Sequence, residues 1–149
     1  MKKVIFAMLG GLVLATITTT LTAQAPVVEK LASGTFIVFA PSPQVWRIRV
    51  DPKTMGNATI SGHYSVTVGT PKNIDVFVFN EENYMKWKSD DDAARTAAKP
   101  LAAVTRKTEG DISAKLTDEG YHYLVISDRY EYEGKKTIVA DIKFQYDKR

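Results

Sequence analysis

Along most of the stretch from Trp46 to Tyr146 the chain alternates apolar and polar side chains with a period of two, and this limits its fold more than any other feature. Trp46, Ile48 and Val50 alternate with Arg47, Arg49 and Asp51. Ile60, Gly62, Tyr64, Val66 and Val68 alternate with Thr59, Ser61, His63, Ser65 and Thr67. Ile112, Ala114 and Leu116 repeat the pattern, as do Ile138, Ala140, Ile142, Phe144 and Tyr146. Side chains on a strand point to opposite faces in turn, so such segments place one face in a core and one in water, as antiparallel sheets do.

Two segments, Ile74 to Phe79 and Tyr121 to Ile126, are apolar on both faces. They read as central strands covered by neighbours or loops. A short strand is also expected over Phe36 to Ala40, closed by Pro41 and Pro43. Turn signals separate these runs: Asp51-Pro52, Gly56-Asn57, Gly69 to Asn73, Glu109-Gly110-Asp111, Glu119-Gly120 and Glu133-Gly134. About seven or eight short strands at this spacing predict an all-β fold, a two-sheet antiparallel β-sandwich of jelly-roll or Greek-key type. The exception is Glu81 to Ala103, a long connection whose first residues, Glu81 to Lys88, can form a helical turn or two.

The N-terminus has a different character. Met1-Lys2-Lys3 precedes an apolar run from Val4 to Ala15, a Thr-rich stretch and Ala23-Gln24-Ala25. This is the layout of a secretory signal peptide with an A-x-A cleavage site, so residues 1–25 are expected to direct export, periplasmic or extracellular. Pro26 is a poor residue after a scissile bond, which leaves an uncleaved inner-membrane anchor as the alternative, and the only expected membrane contact. The strongly apolar part is about 12 residues, whereas a span needs roughly 20. Residues 26–45 then form an N-terminal segment with one short strand, and residues 46–149 the sandwich.

Removing this leader changes the electrostatics. The whole chain of 149 residues carries 20 Lys and Arg against 17 Asp and Glu, a net charge of +3. Without Lys2 and Lys3 the count is 18 against 17, close to neutral, and no basic footprint for nucleic acid remains. The absence of cysteine excludes disulfides, thiolate metal sites and a cysteine nucleophile.

Catalytic constellations are scarce. The two histidines are His63, on a Ser/Thr strand face and expected in solvent, and His122, expected to pack at the edge of the core. Neither lies in a zinc spacing, and no G-x-S-x-G, P-loop or G-x-G-x-x-G is present. Asp90-Asp91-Asp92 lacks the EF-hand pattern and reads as a solvated loop rather than a cation site. No cofactor or metal is expected. The aromatic residues are the better candidates for contact with a ligand: Tyr84 and Trp87 at the foot of the long connection, and Tyr130 and Tyr132 in a polar hairpin. For Trp87 the competing expectation is that it plugs one end of the sandwich.

Ser61 to Val66, Ile74 to Asn80 with Asn83-Tyr84-Met85-Lys86-Trp87, Gly110 to Leu116, Gly120 to Arg129, and Thr137 to Ile142 together resemble GOLD-like β-sandwich domains. They are also similar to the small jelly-roll domains appended to secreted bacterial peptidases. The resemblance implies a non-enzymatic module that contacts proteins or ligands on the exported side, and it supplies no catalytic residues. The leading expectation is therefore an exported binding module for envelope or extracellular proteins or glycans. A polysaccharide hydrolase acting through Asp75, Asp90 or Asp141 is the alternative from another class, with Asp75 and Asp141 able to meet across strands. A membrane-tethered structural envelope protein is the third.

Overall fold

The computed structural model describes residues 24–129 and 134–149. Most of the expected export leader, residues 1–23, and both Tyr130 and Tyr132 lie outside the described residues. The strands are β1 (Val27–Phe39), β2 (Gln44–Val50), β3 (Met55–Val68), β4 (Ile74–Asn80), β5 (Ala102–Lys107), β6 (Glu109–Lys115), β7 (Gly120–Ser127) and β8 (Lys135–Lys148). Two short helices, α1 (Glu81–Trp87) and α2 (Asp92–Thr96), lie between β4 and β5.

The strands form two four-stranded sheets, ordered β1-β8-β3-β6 (sheet I) and β2-β7-β4-β5 (sheet II), with every paired neighbour antiparallel. The chain crosses between sheets at each step except from β4 to β5, which produces the eight-stranded jelly roll that the alternating pattern and turn spacing predict. The core lies between the inner faces: Ile60, Ile138, Ile142 and Phe144 from sheet I meet Val76, Val78, Leu124 and Ile126 from sheet II. Each such side chain contributes about 2 kcal/mol by leaving water.

The N-terminal segment is more than a short strand. β1 has 13 residues and pairs with β8 from Val27–Tyr146 to Phe39–Lys135, with a register shift between Lys30 and Ala32. Only Phe36 to Phe39 shows apolar density in the sequence. The earlier part is a strand because β8 offers it a long edge of backbone partners, so residues 27–39 belong to the sandwich. β5, with the sequence Ala-Ala-Val-Thr-Arg-Lys, is held in the same way by β4 through Val78–Ala102, Phe77–Ala103 and Val76–Val104.

His63 stands on the solvent face of sheet I, where its Nδ1 is 2.9 Å from Asp111 Oδ1, and it pairs across the strands with both Asp111 and Asp141. His122 is 1% exposed and neither ring nitrogen completes a hydrogen bond among the described residues. Burial pushes its pKa below 6.5, outweighing the nearby Gly120 backbone and Asp118 carboxylate, which favour the proton. A histidine held neutral in the fold but free to charge when unfolded leaves stability untouched above 6.5 and removes it as pH falls below that value. Thermal unfolding from pH 7.5 to pH 5 is therefore expected to show a steeper acid loss for the wild type than for His122→Leu. Parallel curves would refute the assignment.

Candidate functional site

The two central strands of sheet II, β4 and β7, are buried on both faces. β4 alternates Ile74, Val76 and Val78 toward sheet I with Asp75, Phe77 and Phe79 toward the outside. β7 likewise turns Leu124 and Ile126 inward and Tyr123, Val125 and Ser127 outward. A second, smaller core covers these outward residues: Phe79, Tyr123 and Val125 are buried beneath Tyr84, Trp87 and Ala98 of the β4–β5 connection. This explains the apolar character of both segments on both faces.

The cover is built by local chemistry. Asn80 caps α1, its side-chain oxygen accepting from Asn83 N at 3.1 Å, with Glu81 and Glu82 in the first turn and Lys86 in the last. Asp91 caps α2 by accepting from Ala93 N at 2.9 Å, and Asp92 pairs with Arg95. Two of the three consecutive aspartates thus shape the connection. Lys99 N donates to Asn83 Oδ1 at 2.8 Å and ties the end of the excursion back to its start.

Beside this cover lies a cleft of about 720 Å³, within the range of small-ligand sites. Phe77, Trp87 and Ala98 give it an apolar floor with the buried Phe79 beneath them, and Pro41 and Pro100 contribute to its walls. Arg95, Thr96, Arg129, Ser127 and Asp75 supply the polar groups. The Arg129 guanidinium lies 5.2 Å from the Trp87 ring centroid and its Nη1 donates to Trp87 O at 2.6 Å. Its backbone N donates to Ser127 Oγ at 3.2 Å. Asp75 is buried and its Oδ1 accepts from Arg106 N at 2.7 Å. Burial raises its pKa above 3.8, more than that backbone N–H and the Arg106 charge lower it.

Of the sequence candidates, Trp87 reaches the cleft, lying over the outer face of sheet II rather than plugging an end of the sandwich. Tyr84 is placed otherwise. Its ring stacks on Tyr123 at 4.0 Å and 11°, and burial raises its pKa, followed by the effect of Tyr123. Asp75 and Asp141 do not meet: Asp75 lies on the outer side of sheet II, Asp141 on the exposed face of sheet I. Asp90 is on the exposed connection. Phe77, Phe79, Arg95 and Arg129 were not singled out by sequence. The signal for the two phenylalanines is the doubly apolar strand itself, which requires a cover and hence a seam beside it.

No family model matches the chain, and no curated protein matches it. Among solved structures, the chain is similar to Aeromonas hydrophila PliG, a periplasmic lysozyme inhibitor of g-type lysozyme. The likeness has a TM-score of 0.43 and 7% identity, covers 89% of this chain and 93% of that chain, and carries no functional argument.

Proposed function

We propose that this chain is an exported, non-catalytic binding module that receives part of an envelope or extracellular partner, protein or glycan, in the cleft on the outer face of sheet II. The observation that carries the reading is the cleft's composition: an aromatic floor from the central strand β4 and from Trp87 of α1, with guanidinium groups beside it. Aromatic surface and arginine are the residues that dominate recognition sites. The other polar groups support the scaffold: Asp75 holds the Arg106 backbone, Ser127 the Arg129 backbone, and Thr96 Oγ1 donates to Asp92 O. Among the described residues no helix is long and apolar enough to cross a membrane. Export rests on residues 1–25, and the resemblance to GOLD-like domains belongs to the same proposal.

Trp87 is the most informative position to change. It packs in the smaller outer core, so Trp87→Ala leaves the jelly-roll core untouched while removing the cleft's largest ring. Pull-down from envelope extract and a glycan array, run with both proteins, are expected to show a partner retained by the wild type and lost by the variant. Hydrolysis of a polysaccharide by the purified protein, with no Trp87-dependent partner, would overturn the reading. Intact mass of the exported protein is expected to correspond to a chain starting at Pro26; a chain retaining Met1 would favour the anchored alternative.

A further inference from the structure

The cleft's polar groups are unequally available. Thr96, Ser127 and Asp75 each hold a backbone group of the protein, Thr96 donating to Asp92 O, Ser127 accepting from Arg129 N and Asp75 accepting from Arg106 N. The guanidinium groups differ. Arg95 is paired with Asp92, and Lys136 and Lys86 elsewhere are paired with Asp128 and Glu82. Among the described residues Arg129 closes no ion pair. Its Nη1 is held by Trp87 O, its guanidinium carbon lies 5.2 Å from the Trp87 ring centre, and its backbone is fixed by Ser127. A guanidinium has five donors in a rigid fork, so holding one at a carbonyl orients the others without consuming them. Ordering the side chain in advance removes part of the cost of binding.

We propose, resting on the binding-module reading, that the cleft's ligand is an acidic segment of a partner protein, with a carboxylate on the Arg129 guanidinium and a neighbouring apolar side chain on the Phe77–Trp87 floor. The charge on Arg129 selects the carboxylate, since charge-assisted hydrogen bonds to a planar fork are stronger than neutral ones. The apolar floor selects the second element. A neutral glycan fits less well, because it brings no counter-charge to the Arg129 guanidinium. A peptide carrying an acidic and an aromatic residue matches both halves.

The test uses three probes titrated into the protein: a short peptide with aspartates flanking a phenylalanine, the same peptide with asparagines, and an oligogalacturonate. The indole N–H resonance of Trp87, assigned with Trp87→Phe, reports occupancy. The aspartate peptide is expected to shift this resonance saturably, more weakly as salt rises. Affinity is expected to fall about tenfold for the asparagine peptide, and about tenfold for the aspartate peptide on Arg129→Ala. Arg129→Lys, which keeps the charge but loses the fork, is expected to recover only part of it. Equal affinity of the two peptides at the Trp87 resonance would overturn the acidic inference and leave the cleft as a binding site. Preference for the oligogalacturonate would overturn it in favour of an acidic glycan. Saturable binding of probes with no change at Trp87, or no binding at all, would overturn both the inference and the cleft reading.

Discussion

Replacing Gly62 by alanine is expected to destabilise the fold by about 3 kcal/mol and lower Tm by roughly 10 °C. Gly62 lies mid-strand in β3, paired with Ile142 of β8 and Ile112 of β6. A Cβ there would stand 2.1 Å from Asp141 O and 2.5 Å from Ile142 Cα. Both are backbone atoms of a paired strand, so relief requires moving β8, the strand that also holds β1. Ser61→Ala, one residue away and partly exposed, is the control and is expected to change stability by less than about 0.5 kcal/mol. Denaturant unfolding of the two variants measures this directly. Gly62→Ala within that same margin would show that β3 and β8 are less closely pressed than the structure has them.

The second large effect is at Lys136. This side chain is 2% exposed, and its Nζ donates to Asp128 Oδ1 at 2.6 Å, Asn73 O at 2.6 Å and Asn73 Oδ1 at 3.2 Å. Those bonds join the start of β8 to the end of β7 and the approach to β4. Lys136→Ala leaves the Asp128 carboxylate, 5% exposed, without its cation, and is expected to cost about 3–5 kcal/mol. The double variant Lys136→Met with Asp128→Leu removes both charges and is expected to regain most of that loss, because apolar replacement of a buried pair is often near neutral. The same unfolding measurement applies. A double variant as unstable as the single would mean that the Asn73 contacts, not the ion pair, dominate.

The jelly roll was legible in the sequence wherever one strand face meets water, because alternation is then the direct imprint of burial. β2, β3, β6 and β8 follow it closely. β5 escaped because its Ala-Ala-Val-Thr-Arg-Lys run is mostly exposed at a sheet edge, and its strand geometry comes from backbone pairing with β4. Much of β1 escaped for the same reason: Glu29, Lys30, Ser33 and Thr35 carry little apolar signal, yet β8 supplies their partners. The double apolar faces of β4 and β7 correctly required a cover. What could not be read was which residues line its seam, since Arg129 joins Trp87 across 42 positions. Contacts of that span arise from topology, not from local pattern.

The β4–β5 connection carries a consequence for how such a protein diversifies. It leaves Asn80 and returns at Ala102 between strands already hydrogen-bonded to each other, with Leu101 N donating to Val78 O at 2.7 Å. Its two ends are therefore fixed by a hairpin that exists whatever lies between them, and lengthening such a loop costs little, about 0.6 kcal/mol per doubling. The segment behaves as an interchangeable cassette. It can be exchanged for another of different length or charge, provided it brings apolar side chains to cover Phe79, Tyr123 and Val125. A family of such chains could keep one sandwich and change what it recognises by rewriting about twenty residues.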